Sequence, residues 1–326
     1  MEMLKTVNDP TQYYRCLKTK METELLLSAI RLDIFTSLST PSTLKELAEC
    51  TGYDNRNLDL FLQALVCAGL LSREGELYGN TPEGSEFLSR TSPLYLGDTI
   101  LFRDKLNSLE GIDEKIRKGS RALQASADTS DYEFAGLARV AIPEMYLGRV
   151  QSFLNALKEV IDDVSPLRLL DLGGGSGIMA IEFVKAFPGA SAVVFEHPSV
   201  AAVARQTAEQ HGVSEKVSAV EGDFNADCIG EGFDVLVASG ILDFAQDNLE
   251  ELLRKMHSAL NPRGLLYLVR RKSDQEGLLG WLPGLLNGRN ALLAVESLKT
   301  SILKSGFELL RGDDAGRFCG EFYRKK

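Results

Sequence analysis

Histidine is scarce in this 326-residue sequence, with three in all, and tryptophan occurs once. Chemistry that needs an imidazole must therefore fall on His197, His211 or His257. The five cysteines, Cys16, Cys50, Cys67, Cys228 and Cys319, include no Cys-x-x-Cys pair, so metal-ligand spacing is lacking and no metal is expected. Their odd number reads as reduced thiols in ordinary packing and points to a cytoplasmic protein. No apolar run approaches the ~18 residues of a membrane span, and there is no signal-peptide core. Basic residues are the minority, 36 against 46 acidic, for a net charge of -10. That balance argues against nucleic acid and anionic membranes as partners. Internal repeats and low-complexity tracts are also missing.

What the sequence does have is the stretch Leu169-Leu170-Asp171-Leu172-Gly173-Gly174-Gly175-Ser176-Gly177. An apolar strand there runs into a glycine turn, and Ile178 to Phe187 follows as a helix whose first amides face that turn. This is a nucleotide-type cofactor site. A dinucleotide turn needs Gly-x-Gly-x-x-Gly, but the third glycine position holds Ile178. The pattern is instead Asp-x-Gly-x-Gly-x-Gly. Asp171 would repel a pyrophosphate and attract an ammonium or sulfonium group, and S-adenosylmethionine carries both without a phosphate. In these residues the chain resembles the class I methyltransferases. The resemblance implies an α/β fold with a doubly wound, Rossmann-like sheet, and S-adenosylmethionine held around Asp171, Gly173, Gly175 and Gly177.

Ahead of this motif, Glu22 to Leu38 shows a wide apolar helical stripe. Ser42 to Ala48 starts a short helix with a hydroxyl cap and an early acid, and Asn55 to Ala68 forms the next. Leu70 to Tyr78 reads as a small hairpin. Helix, turn, helix and hairpin make a winged-helix order. Between Thr43 and Asn80, Lys45, Arg56 and Arg73 are outnumbered by Glu46, Glu49, Asp54, Asp59, Glu74 and Glu76, so the segment repels phosphate and suits protein contact. It resembles the dimerisation part of the small-molecule O-methyltransferases of the plant phenol, hydroxyindole and bacterial natural-product type. That resemblance covers nearly the whole chain. It implies a homodimer acting on a small molecule, with a winged-helix dimerisation domain at 1–93, a helical connector lining the substrate pocket at 94–160 and an S-adenosylmethionine-binding domain at 161–326.

In the connector, residues 125–131 read as an exposed loop, and Phe134, Leu137, Val140, Ile142, Val150 and Phe153 supply mostly core surface. A helix of the family with a Phe…Met pattern lies over the pocket, which makes Met145 and Tyr146 candidates for substrate contact. From Arg168 strands and helices alternate as in a doubly wound sheet. Glu196 ends the strand Ala192 to Phe195, about twenty residues past the turn, where an acid suits two ribose hydroxyls. By resemblance, Asp223 meets the adenine amino group and Phe224 covers the ring. The fourth strand, Phe233 to Ala238, leads to Ser239, which borders the transferable methyl group. Asn261 to Gly264 reads as a turn into a fifth strand, Leu265 to Val269. A helix over Leu292 to Lys304 and a closing hairpin of Phe307 to Leu310 and Arg317 to Tyr323 complete the pattern.

The catalytic half departs from the family. The family's histidine base falls on Leu242 in Ile241-Leu242-Asp243-Phe244, and its lysine falls on Ala238. Asp243 and Tyr146 are then the groups to test as base. An activated carbon, a thiolate, an amine or an acidic hydroxyl would need no histidine. Chemistry that uses the cofactor without methyl transfer, and a silent cofactor-binding relative, stay open. Arg270 and Arg271 suit a substrate carboxylate or a solvated turn. The segment Gly277 to Gly288, with Trp281, suits a cover over an apolar acceptor or plain core packing.

Overall fold

The computed structural model describes residues 6–119, 134–161, 166–245, 248–286 and 293–326. They belong to two compact units, Met1–Arg103 and Asp104–Lys326. The first contains α1 (Thr11–Arg31), α2 (Ile34–Ser37), β1 (Ser42–Thr43), α3 (Leu44–Thr51), α4 (Asn55–Cys67), β2 (Leu71–Glu74), β3 (Leu77–Asn80), α5 (Pro82–Phe87) and most of α6 (Gly97–Leu106). The helix expected through Leu38 is divided at Asp33, whose φ of 53° is left-handed and breaks the backbone ladder between α1 and α2. Thr43 caps α3 in a full capping box: its amide donates to Glu46 Oε2 at 2.8 Å, and the Glu46 amide donates to its hydroxyl at 3.3 Å. Leu58, Leu62 and Leu65, on one face of α4, pack with Ile34, Phe35 and Leu71. The sheet order β1-β3-β2 completes a winged helix.

The second unit opens with α7 (Ile112–Lys118), α8 (Phe134–Val140), α9 (Ile142–Met145) and α10 (Arg149–Val160). Then come β4 (Arg168–Leu172), α11 (Ile178–Ala186), β5 (Ser191–Glu196), α12 (Pro198–Gln210), β6 (Val217–Glu221) and β7 (Phe233–Ser239). A 3₁₀ turn at Leu242–Phe244 precedes α13 (Leu249–Ala259), β8 (Leu260–Arg271), α14 (Asp274–Leu286), α15 (Val295–Lys304), β9 (Phe307–Ala315) and β10 (Phe318–Lys325). The sheet runs β6-β5-β4-β7-β8-β10-β9, parallel from β6 to β8, with β10 antiparallel to both its neighbours. Alternation divides the strands between two cores. Leu169, Val237 and Tyr267 lie with Phe153 and Phe183 of α10 and α11, while Leu170, Leu236 and Leu268 lie with Met256 and Ile302 of α13 and α15. The direction of strand addition reverses between β4 and β7, so their carboxyl ends form the crevice where such sheets bind ligands.

Two boundaries differ from expectation. Asn261 to Gly264 does not precede the fifth strand but bulges within it, because Phe233 pairs with Leu260 and Val235 with Leu265. The closing strands are longer than expected, since β10 pairs along β8 from Phe318↔Arg271 to Arg324↔Leu265. The expected loop at 125–131 and the helix start at Leu292 lie outside the described residues. No helix among the described residues is long and apolar enough to cross a membrane.

Candidate active site

The turn after β4 passes directly over Asp171. A Cβ on Gly174 would stand 2.5 Å from the Asp171 carboxyl, and one on Gly173, where φ is 64°, would stand 2.5 Å from Ile241 Cγ2. Only glycine lets the backbone close over the acid in this way. Asp171 is fully buried, and neither carboxylate oxygen has a hydrogen bond of good geometry. Burial pushes its pKa up to about 7; the Ala180 amide, in the first turn of α11, only partly offsets this, and the nearby Glu196 charge adds to it. Glu196, at the end of β5, accepts from the Gly175 amide at 2.9 Å and the His197 amide at 2.7 Å. Burial raises its pKa as well, against those two hydrogen bonds.

Ser239 Oγ, at the end of β7, and Asn225 Oδ1, in the loop after β6, are also buried without partners. An orphaned polar atom is costly, and these atoms lie on loops and strand ends on the carboxyl side of the sheet. Two carboxylates, a hydroxyl and an amide oxygen suit a ligand with positive charge and N–H or O–H donors. Asp223 is exposed and accepts from the Asn225 amide at 2.8 Å, while Phe224 is half-buried against the α13 side of the core. Sequence reasoning missed Lys255 of α13, whose ammonium donates to the carbonyls of Phe224, Asn225 and Asp227 at 3.2, 3.1 and 2.9 Å. A lysine on an outer helix gives no sequence signal of such a role.

On the other side of the crevice, Leu242 is 4 % exposed and packs into the apolar core. Both oxygens of Asp243 accept from Arg271 Nη1, at 2.8 and 2.6 Å, and the two side chains are 17 % and 10 % exposed. Arg271 Nη2 donates to the Leu293 carbonyl. Arg270, one residue earlier, faces the other way and binds Glu321 at 2.6 Å, with the Tyr323 hydroxyl on the same carboxylate at 2.7 Å. The two arginines are therefore not brought together. Tyr146 donates to Glu182 Oε1 of α11 at 2.9 Å; burial first, and this hydrogen bond second, raise its phenol pKa. Met145 packs beside it on the α10 core, with Arg149 Nη1 at 3.5 Å from its sulfur.

Trp281 of α14 meets Phe244 edge-on at 5.2 Å, and Phe244 meets Phe134 of α8 edge-on at 5.9 Å. Ala138, one turn along α8 from Phe134, comes within 3.9 Å of a Cβ built on Gly175, so α8 roofs the glycine turn. The signal for this aromatic wall was present in Phe134 and Phe244, but their pairing across the chain was not. The histidines all have other partners: His197 caps α12 through Ser199, His211 Nδ1 lies 2.8 Å from Lys185 Nζ, and His257 meets Phe307 edge-on at 5.3 Å. Among the described residues no cluster of His, Cys, Asp and Glu could hold a metal ion.

Residues 14–90 match the O-methyltransferase dimerisation domain, and residues 150–277 match the O-methyltransferase domain. The tetracenomycin polyketide synthesis 8-O-methyl transferase of Streptomyces glaucescens is 30% identical over 275 residues, covering 82% of this chain and 80% of that protein. The N,N-dimethyltransferase OxyT of Streptomyces rimosus is 25% identical over 316 residues, covering 92% of this chain and 91% of the relative. Among solved structures, human N-acetylserotonin methyltransferase in complex with S-adenosylmethionine aligns over 99% of each chain, with a TM-score of 0.75 and 22% identity.

Proposed function

The chain belongs to the O-methyltransferase family as an S-adenosylmethionine-dependent methyltransferase, and from that premise we propose that it methylates a small apolar or aromatic acceptor at an atom needing no histidine base. The observation that carries this reading is the turn Leu242–Phe244: its leucine is buried among apolar side chains and both oxygens of its aspartate are engaged by Arg271. Neither side chain is a free proton acceptor. Tyr146, hydrogen-bonded to Glu182 and with a raised pKa, is equally unsuited.

Asp171 would hold the cationic end of the cofactor, Glu196 the ribose hydroxyls, Asp223 and Phe224 the adenine, and Ser239 the region near the methyl group. The unpartnered atoms of Asp171 and Ser239 fit such a ligand. Bound S-adenosylmethionine supplies an electrophilic methyl group. The chain's own part is placement: Phe134, Phe244 and Trp281 offer flat apolar surface that excludes water and orients an acceptor, and the Asp243–Arg271 pair fixes the turn that carries Phe244. The winged helix makes the enzyme a homodimer, and the cysteine pattern suits the cytoplasm. A relative acting on nitrogen, as the name of the Streptomyces rimosus protein states, favours amines among the acceptors.

Turnover with methyl-labelled S-adenosylmethionine against matched aromatic amines, acidic phenols and unactivated phenols tests this. Label should enter the amine or the acidic phenol. Efficient methylation of the unactivated phenol, abolished in Asp243→Asn, would overturn the reading.

A further inference from the structure

Asn225 hydrogen-bonds to both sides of the proposed site. Its backbone amide donates to the Asp223 carboxylate at 2.8 Å, and its side-chain Nδ2 donates to the Phe244 carbonyl at 3.1 Å. Phe244 in turn carries the edge contacts to Phe134 and Trp281. The other atom of the same amide, Oδ1, is buried with no partner, so the side chain has an acceptor to spare beside the proposed adenine pocket.

The loop does not need this side chain to hold its shape. Lys255 already gathers the carbonyls of Phe224, Asn225 and Asp227, and the Asp223 amide donates to Asp227 Oδ2 at 2.8 Å. The Nδ2 donor therefore adds only the link from the loop to the turn. From this division of labour we infer that Asn225 is a positioning residue, tying the adenine end of the cofactor site to the aromatic wall of the acceptor site. The inference rests on the reading that Asp223 and Phe224 meet adenine. When a ligand settles the loop, Asn225 sets the height of the Phe244 carbonyl, and with it the ring on which Trp281 leans. Lys255, by contrast, serves affinity.

Trp281 is the sole tryptophan, so its emission reports the wall alone. The full-length protein is titrated with S-adenosylhomocysteine, following both heat and tryptophan fluorescence, which requires no acceptor. Binding to the wild type should change the emission. In the near-isosteric Asn225→Asp, which keeps an acceptor at Oδ1 and loses only the Nδ2 donor, and in Asn225→Ala, which loses both, the fluorescence change at saturation should fall below about half of wild type, with affinity reduced more in the alanine variant than in the aspartate one. Lys255→Met should do the reverse, weakening binding about tenfold or more while leaving the emission change at saturation intact. If S-adenosylhomocysteine does not bind the wild type, the cofactor reading itself fails. If it binds and the emission of the wild type does not respond, or responds in both Asn225 variants as fully as in the wild type, the link is refuted. Loss of measurable binding in both variants refutes it too, since Asn225 would then merely build the loop.

Discussion

Replacing Asp171 with asparagine should stabilise the ligand-free protein at pH 8 and weaken its hold on the cofactor. The carboxyl titrates near 3.8 in its ordinary state and near 7 in the fold, so the folded chain holds that proton more tightly. Below about pH 4 both states are protonated and the group has little effect on stability. As pH rises from there, the unfolded state ionises first and stability is lost, until the full penalty is present above about pH 7. About three pH units at about 1.4 kcal/mol each give about 4 kcal/mol at pH 8. An asparagine amide, equally unpartnered, costs about 1–2 kcal/mol, which leaves a net gain of about 2 kcal/mol. In a unit of this size that is about 4–8 °C in melting temperature. Scanning calorimetry of the two ligand-free proteins should show the gap at pH 8 and find it closed or reversed at about pH 4.5. Titration with S-adenosylhomocysteine at pH 8 should show the opposite order, with affinity lower in the variant by about tenfold or more. Binding to the wild type near pH 6.5 should release a proton, visible as a heat that depends on the buffer. A variant no more stable than wild type at pH 8, or a gap unchanged with pH, refutes the assignment of Asp171 as a buried carboxylate awaiting a cation.

Arg271→Met leaves the Asp243 carboxylate buried and unpaired and should cost about 3–5 kcal/mol in denaturant unfolding, whereas Arg271→Met combined with Asp243→Leu should recover much of that loss. Leu242→His, which restores the family's base in the sequence, should lower stability by about 2 kcal/mol or more and add nothing to turnover, because the side chain enters the apolar core. Gly173→Ala forces a Cβ against Ile241 at a positive φ, and calorimetry should show cofactor affinity reduced about tenfold or more.

The proposed cofactor half was open to reading from the sequence because its signals are local. Asp171 and the three alternate glycines occupy one strand-to-turn junction, and Glu196 ends the very next strand, so spacing alone placed them. The acceptor half depends on partners far apart in the chain. Arg270 and Arg271 look alike as neighbours, yet alternation along β8 sends one to Glu321 and the other to Asp243. Similarly, the bulge at Asn261–Gly264 carries turn residues, and only pairing with β7 reveals that the strand resumes the same ladder. Lys255 and Asn225 gave no signal because their roles consist of backbone carbonyls contributed by other segments.

The placing of β10 between β8 and β9 also has a consequence in time. As the chain emerges, β9 is made before β10, the strand that joins it to the sheet. Until β10 inserts, β8 keeps an open edge and β9 has two, while Phe322 and Tyr323, fully buried in the finished fold, are still missing from their cores. The enzyme therefore passes through an interval in which its cofactor crevice can already form but one flank is an unsealed template for a stray strand. Weaker pairing of β10 would lengthen that interval and should raise aggregation during refolding.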